Sequence, residues 1–239
     1  CDWSSDVCSS DLGANGKSSV VIPMEDKYES TLTMYVNGEV KDVVYMSDGT
    51  WTVDYNKSTT VLSNFTVSND SKRAYAADEY PVFRNVEVKA NTSDFVSIVK
   101  LLRGGGAAAD MTAYKGLKFT AAGGYNLHVT LVKNGIVDYT NQYALNVPLE
   151  IGQKEYYLSL DKFVSKATSA AINANDITTV IFTIEVGTGK SNSISTNLSN
   201  ISFTKTDMNY LNSLESKELQ LNPNPVTGNR FSCNFMSSK

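Results

Sequence analysis

The chain has 239 residues, a net charge of −4, 41% hydrophobic residues and no basic block, which allows one sizeable core and excludes a nucleic-acid surface. One histidine (His128) and three cysteines (Cys1, Cys8, Cys233) are too few for a zinc site and leave no nucleophile–base constellation unless His128 serves, so no catalytic residue, metal or cofactor is expected. The longest apolar runs, such as Val180-Ile181-Phe182, fall far short of the ~20 residues that cross a bilayer as a helix, and no membrane insertion is expected.

Residues 2–12 read Asp-Trp-Ser-Ser-Asp-Val-Cys-Ser-Ser-Asp-Leu. At every position the segment resembles the conceptual translation of a common short-read sequencing adapter, so 1–12 is expected to be artefactual and to pack against nothing. On that expectation the place of a signal peptide lies upstream, and cysteine arithmetic that uses Cys1 and Cys8 is void. Gly13-Ala14-Asn15-Gly16-Lys17-Ser18 hints at a phosphate loop, but that loop needs a glycine where this chain has Asp11.

From there on, short apolar-alternating runs recur with turn residues between them, the pattern of an all-β sandwich. Strands are predicted at 31–36, 39–46, 50–55, 61–67, 82–88, 95–102, 116–121, 125–133, 139–147, 154–160, 178–186 and 194–203. Asn37-Gly38 and Asp48-Gly49 are hairpin signals, because both turn positions favour positive φ. No long helix is expected, and 162–171 is the best candidate for a short one. Residues 13–60 read as the β-rich end of a preceding domain or as an N-terminal extension pairing with the sandwich edge.

Period two sets the facing of each strand. Leu117 and Phe119 alternate with Lys118 and Thr120, and Leu127, Val129 and Leu131 alternate with His128, Thr130 and Val132. If these two strands form a hairpin, a three-residue loop Ala122-Gly123-Gly124 keeps both apolar sets on one face, with Phe119 opposite Leu127. His128 then lies on the polar outer face, opposite Lys118.

The stretch Asp110-Met111-Thr112-Ala113-Tyr114-Lys115-Gly116-Leu117-Lys118-Phe119 resembles the entry strand of galactose-binding-like jelly rolls, in particular family-eleven carbohydrate-binding modules and complex-I-assembly-like domains. Two later stretches keep that family's order: 154–163 (Lys-Glu-Tyr-Tyr-Leu-Ser-Leu-Asp-Lys-Phe) and 175–182 (Asn-Asp-Ile-Thr-Thr-Val-Ile-Phe). The resemblance covers roughly 61–205 and implies a jelly-roll β-sandwich with flanking partial segments. These motifs are mostly core spacing, so they imply the fold and not the ligand.

Residues 206–218 form a polar, patternless linker. After it, Leu221-Asn222-Pro223-Asn224-Pro225-Val226 and then Thr227-Gly228-Asn229-Arg230-Phe231 resemble the opening of the type IX secretion C-terminal sorting domain. Position 222 departs from that family, which usually has an aromatic residue there. The resemblance implies that 219–239 begins a truncated sorting domain. It also implies that the type IX machinery is a partner of the full-length protein, whose destination is outside the cell or on the outer-membrane exterior.

Sugar recognition uses an exposed aromatic platform and planar hydrogen bonders. Trp51, Tyr125, Tyr139, Tyr143 and Tyr157 are the aromatics on offer, and Tyr157 is the expected platform because Tyr156, Leu158 and Leu160 take the inward face. With His128, Lys118 and Thr130 on the outer face and Arg103 reaching from a glycine-rich loop, these five residues are the expected contacts for a polysaccharide. The bland alternatives are an exposed strand histidine and a permissive glycine turn. Paired carboxylates for glycoside hydrolysis cannot be singled out. The expected function is a non-catalytic, glycan-binding accessory module of a secreted bacterial protein. Its alternatives are a structural or protein-interaction sandwich carrying a secretion tag, and the C-terminal part of a hydrolase.

Overall fold

Burial along Asn85–Thr92 alternates strictly, with Val86, Val88, Ala90 and Thr92 inside and Glu87, Lys89 and Asn91 on the other face. Period two of this kind gives a strand one dry face and one wet face, and it recurs through the chain. The computed structural model describes residues 29–68, 74–186 and 192–208. The expectations for 1–12, the glycine-lysine loop at 13–18 and the sorting segment at 219–239 lie outside them.

Numbered along the chain, one antiparallel sheet runs β10 (Tyr143–Pro148), β9 (Asn126–Lys133), β12 (Ile177–Glu185), β7 (Phe95–Leu101) and β3 (Trp51–Tyr55). The other runs β11 (Lys154–Ser159), β8 (Gly116–Ala122), β13 (Asn192–Thr204), β6 (Asn85–Thr92) and β4 (Thr60–Ser68), with β5 (Glu79–Pro81) also paired to β13. A hairpin of β1 (Glu29–Val36) and β2 (Glu39–Ser47) forms a separate two-stranded sheet. The chain repeatedly crosses between the two large sheets, and the result is an all-β jelly-roll sandwich. Among the described residues no helix is long and apolar enough to cross a membrane, which says nothing of spans made by strands.

The inner faces meet over aromatic rings. Phe119 on β8 and Phe182 on β12 are fully buried and touch edge-to-face across the two sheets, 5.4 Å between centroids. Tyr156 stacks on Phe119 at 5.5 Å, and Trp51 lies 6.5 Å from Phe182. Burying each such ring is worth about 2–3 kcal/mol, so this line of contacts fastens one sheet to the other.

A buried charge anchors the entry of β3. Lys100 is 1% exposed on the inner face of β7. Its ammonium bonds Asp48 Oδ1 at 2.5 Å and the Gly49 carbonyl, and lies 5.6 Å above the Trp51 ring. Arg84 donates from Nε to the other Asp48 oxygen at 3.4 Å.

Several sequence expectations change here. The Asn37-Gly38 turn is present, with φ of 53° and 81°. Asp48-Gly49 is not a hairpin turn, since β2 pairs only with β1 while β3 pairs with β7. The glycine serves a different purpose: a Cβ on it would sit 2.0 Å from the Leu101 carbonyl oxygen. The proposed β8–β9 hairpin is also absent. β8 pairs with β11 and β13, and β9 pairs with β10 and β12, so Gly123-Gly124 carries the chain from one sheet to the other. Both inward faces are nevertheless as read, with Leu117, Phe119, Leu127, Val129 and Leu131 fully buried. Residues 139–141 form a 3-10 turn ahead of β10 instead of its first strand residues, and 162–171 contains no α-helix.

Candidate functional site

The outer face of the five-stranded sheet forms the floor of a cleft of about 1110 Å³. Register places one side chain per strand in a row across it: Asp54 opposite Ser97, Ser97 opposite Thr183, Thr183 opposite His128, and His128 opposite Asn146. Adjacent strands are ~4.8 Å apart, so five strands spread this polar row over roughly 19 Å. Its members are partly paired with each other. Ser97 and Thr183 hydroxyls lie 2.8 Å apart, and His128 Nδ1 is 2.7 Å from Asn146 Oδ1.

A second row lies two residues further along each strand. Val99 is opposite Ile181, Ile181 opposite Thr130, and Thr130 opposite Ala144. Val164 continues the row through an isolated bridge to Ala144, with reciprocal backbone bonds of 2.9 and 3.1 Å. On β3 the row ends at the exposed Thr52, opposite Val99, and over the other strands it is apolar except for Thr130. That residue is 2% exposed, and its hydroxyl finds no hydrogen-bond partner. A buried hydroxyl left so costs about 1–3 kcal/mol, and such a group calls for an explanation.

Tyr139 stands beside the floor and is 50% exposed. Its position comes from the turn Asp138-Tyr139-Thr140, in which the Asp138 carboxylate accepts from the Thr140 amide at 2.9 Å and its hydroxyl at 2.8 Å. Those bonds hold the Asp138 carboxyl below the usual carboxylate range. Gln142 ties the turn to β9, accepting from the Lys133 amide at 2.8 Å and donating to the Ile136 carbonyl at 2.8 Å. Ser165 donates to the Asn141 carbonyl at 2.5 Å and so seats the neighbouring segment that carries Lys166.

The five residues expected from sequence are divided among three places. His128 and Thr130 stand side by side in the cleft floor. Lys118 and Tyr157 are register partners on the outer face of the opposite sheet, so Lys118 does not face His128 and Tyr157 cannot add its ring to the histidine's face. Lys118 pairs there with the Glu79 carboxylate. The Tyr157 ring lies over Gly116, where a Cβ would meet it at 2.2 Å, and burial pushes its phenol up. Arg103 follows β7 and donates to the Ala108 carbonyl at 3.2 Å. Trp51 and Tyr143 are core residues, and Tyr125 bonds the Ser193 carbonyl at 2.9 Å. Tyr139 is the exposed aromatic that borders the cleft.

Sequence reading missed Asp54, Ser97, Thr183 and Asn146 as neighbours of His128, because strands far apart in sequence supply them. Tyr139 had a legible signal. Asp-x-Thr is a side-chain-capped turn, and it recurs at Asp110-Met111-Thr112 with the same bonds. Among the described residues no group of three His, Cys, Asp or Glu side chains gathers to hold a metal.

No family model and no curated protein matches this sequence. Solved structures do resemble it in shape. A family 11 carbohydrate-binding module from Clostridium thermocellum, in complex with a beta-1,3-1,4-mixed-linked tetrasaccharide, is 10% identical, with a TM-score of 0.43 over 66% of this chain and 88% of that one. A family 30 carbohydrate-binding module of a cellulosomal cellulase of Clostridium thermocellum is 12% identical, with a TM-score of 0.42 over 66% and 92%. An agarase, AgWH50C, is 13% identical, with a TM-score of 0.40 over 64% of this chain and 25% of that one. These values describe overall shape, and none carries an argument about what this chain binds.

Proposed function

We propose that this chain is a non-catalytic glycan-binding module of a secreted bacterial protein, and that its ligand lies in the cleft on the five-stranded sheet. The observation that carries the reading is the polar row Asp54–Ser97–Thr183–His128–Asn146 along the cleft floor, in which Asp54, His128 and Asn146 reach the surface while the buried Ser97 and Thr183 hydroxyls bond each other. A pyranose presents a rim of hydroxyls and a C–H face. The polar row suits the rim, while Val99, Ile181 and the Tyr139 ring suit the C–H face. Thr130 adds a hydroxyl in need of a partner. Of the residues expected from sequence, His128 and Thr130 belong to this proposed site. Lys118, Tyr157 and Arg103 lie away from the cleft.

Secretion rests on the resemblance of 221–231 to a type IX sorting signal, which proposes the type IX machinery as the partner of a longer chain and the cell exterior as its destination. A second reading, a protein-interaction sandwich, is favoured by the β1–β2 hairpin, where Met34, Tyr35, Val36, Val40 and Val43 are exposed.

Calorimetric titration or affinity electrophoresis against plant, algal and bacterial polysaccharides tests the glycan reading. A shallow, wet site of this size gives a Kd of about 10 μM to 1 mM. Tyr139→Ala and His128→Ala should each weaken binding about tenfold while the circular-dichroism spectrum stays unchanged. No binding across the panel sinks the proposal in favour of the interaction sandwich, and binding that survives both substitutions together overturns the placement of the ligand in this cleft.

A further inference from the structure

The charged groups of the cleft are unevenly placed. Asp54 ends the polar row on the edge strand β3, and Glu185 stands on β12 two residues beyond Thr183, opposite Phe95. Both are exposed and both line the cleft. Neither makes an ion pair among the described residues, and neither does Lys166, the lysine that borders the cleft. Lys166 follows Val164 on the far side of β10, across the width of the sheet from Asp54. One ammonium at one margin therefore does not neutralise two carboxylates on β3 and β12, and the chain as a whole carries a net charge of −4.

We infer that Asp54 and Glu185 make this cleft selective for uncharged glycans and exclude chains that carry a carboxylate or sulfate on their sugars. The inference rests on the glycan reading above and adds a charge rule to it. A polyanionic chain lying along the polar row brings one negative group after another past two carboxylates that have no counter-ion. Like charges juxtaposed in an interface weaken the complex and act against the wrong partner more than they help the right one. A neutral chain meets the same carboxylates as hydrogen-bond acceptors for its hydroxyls, which charge-assisted bonds favour.

The test compares derivatives of one backbone. Cellulose, mannan and agarose are each prepared in a hydroxyethylated form, which adds neutral bulk, and a carboxymethylated form, which adds similar bulk with charge. Affinity electrophoresis then gives a Kd for every pair at low salt and at 1 M salt. For whichever backbone binds, the hydroxyethyl form should bind at least about tenfold tighter than the carboxymethyl form at low salt, and the gap should narrow at 1 M, where the screening length is ~3 Å.

The double variant Asp54→Asn/Glu185→Gln should narrow the gap to within about threefold at low salt, whatever it does to absolute affinity, because removing two like charges removes the penalty. Equal binding of both forms by the unaltered protein overturns the charge rule and leaves the glycan site standing. A gap that the double variant leaves intact overturns it too, since the exclusion then has another source. If no backbone binds in either form, the glycan reading itself falls, and the charge rule with it.

Discussion

Thr130 shows how a single side chain can work against its own fold. Its hydroxyl is buried on the floor of the cleft without a partner, whereas Val99 and Ile181, its neighbours in the row, have nothing to satisfy. Thr130→Val keeps the shape and removes the orphaned group. We expect the variant to be more stable by about 1–2 kcal/mol in urea and to bind glycan about tenfold more weakly. A stability gain without loss of affinity would assign Thr130 to packing alone. At this scale the sequence was partly readable. Period two placed His128 and Thr130 on an outer face, where they are. Tyr157 also faces outward as read, but on the opposite sheet, with its ring lying over the bare backbone of Gly116. That contact depends on how β11 sits beside β8 and is invisible in either strand.

Among the elements, β3 and the residues just before it show the strongest dependence on a few contacts. Asp48 holds both Lys100 and Arg84, and Gly49 passes against the Leu101 backbone with no room for a side chain. Asp48→Asn leaves the Lys100 charge buried without its carboxylate, and should cost about 3 kcal/mol. Gly49→Ala should cost about 2–3 kcal/mol, because the atom it would meet is main chain and cannot swing aside. Equilibrium urea melts followed by circular dichroism check both. A change below about 0.5 kcal/mol in either variant would mean that β3 is not locked by this junction. Asp48-Gly49 carried a hairpin signal in the sequence. The same two residues serve instead to bury a lysine and to pass close to a neighbouring strand, because a long-range partner competes for them and wins.

The whole molecule has titratable groups that bound its stability on both sides of neutrality. Asp78 is held below the usual carboxylate range first by the Thr206 hydroxyl, at 2.6 Å. Asp110 and Asp138 are held low by the hydroxyls and amides of Thr112 and Thr140. A depressed folded pKa means that the folded state releases its proton more readily than the unfolded chain. The stability these groups contribute is therefore present above about pH 4 and is lost as pH falls through their folded values. Tyr80 and Tyr157 are raised, mainly by burial. Their contribution is present below about pH 10 and is lost as pH rises through their folded values. Thermal melts should show a broad plateau of Tm between those limits and a fall on each side. Asp78→Asn should flatten the acid limb, and an unchanged acid limb would refute the role given to Asp78.

The sequence alone determined that this is a β protein with inward and outward faces, because alternation is a local property and water sorts each strand by the same rule. It placed the Asn37-Gly38 turn, because two positive φ angles in succession are a local demand. The tertiary structure alone decided which outward faces share a surface. His128 borders Thr183 and Ser97 because β12 and β7 lie next to β9 in the sheet, although they are far from it along the chain. Lys118 is near His128 in sequence and on the opposite face of the sandwich, because Gly123-Gly124 crosses between layers instead of turning back within one. A crossing and a hairpin use the same glycines and the same alternation. They differ only in which distant strands bury the freed edges, and that is settled by the packing of the whole core.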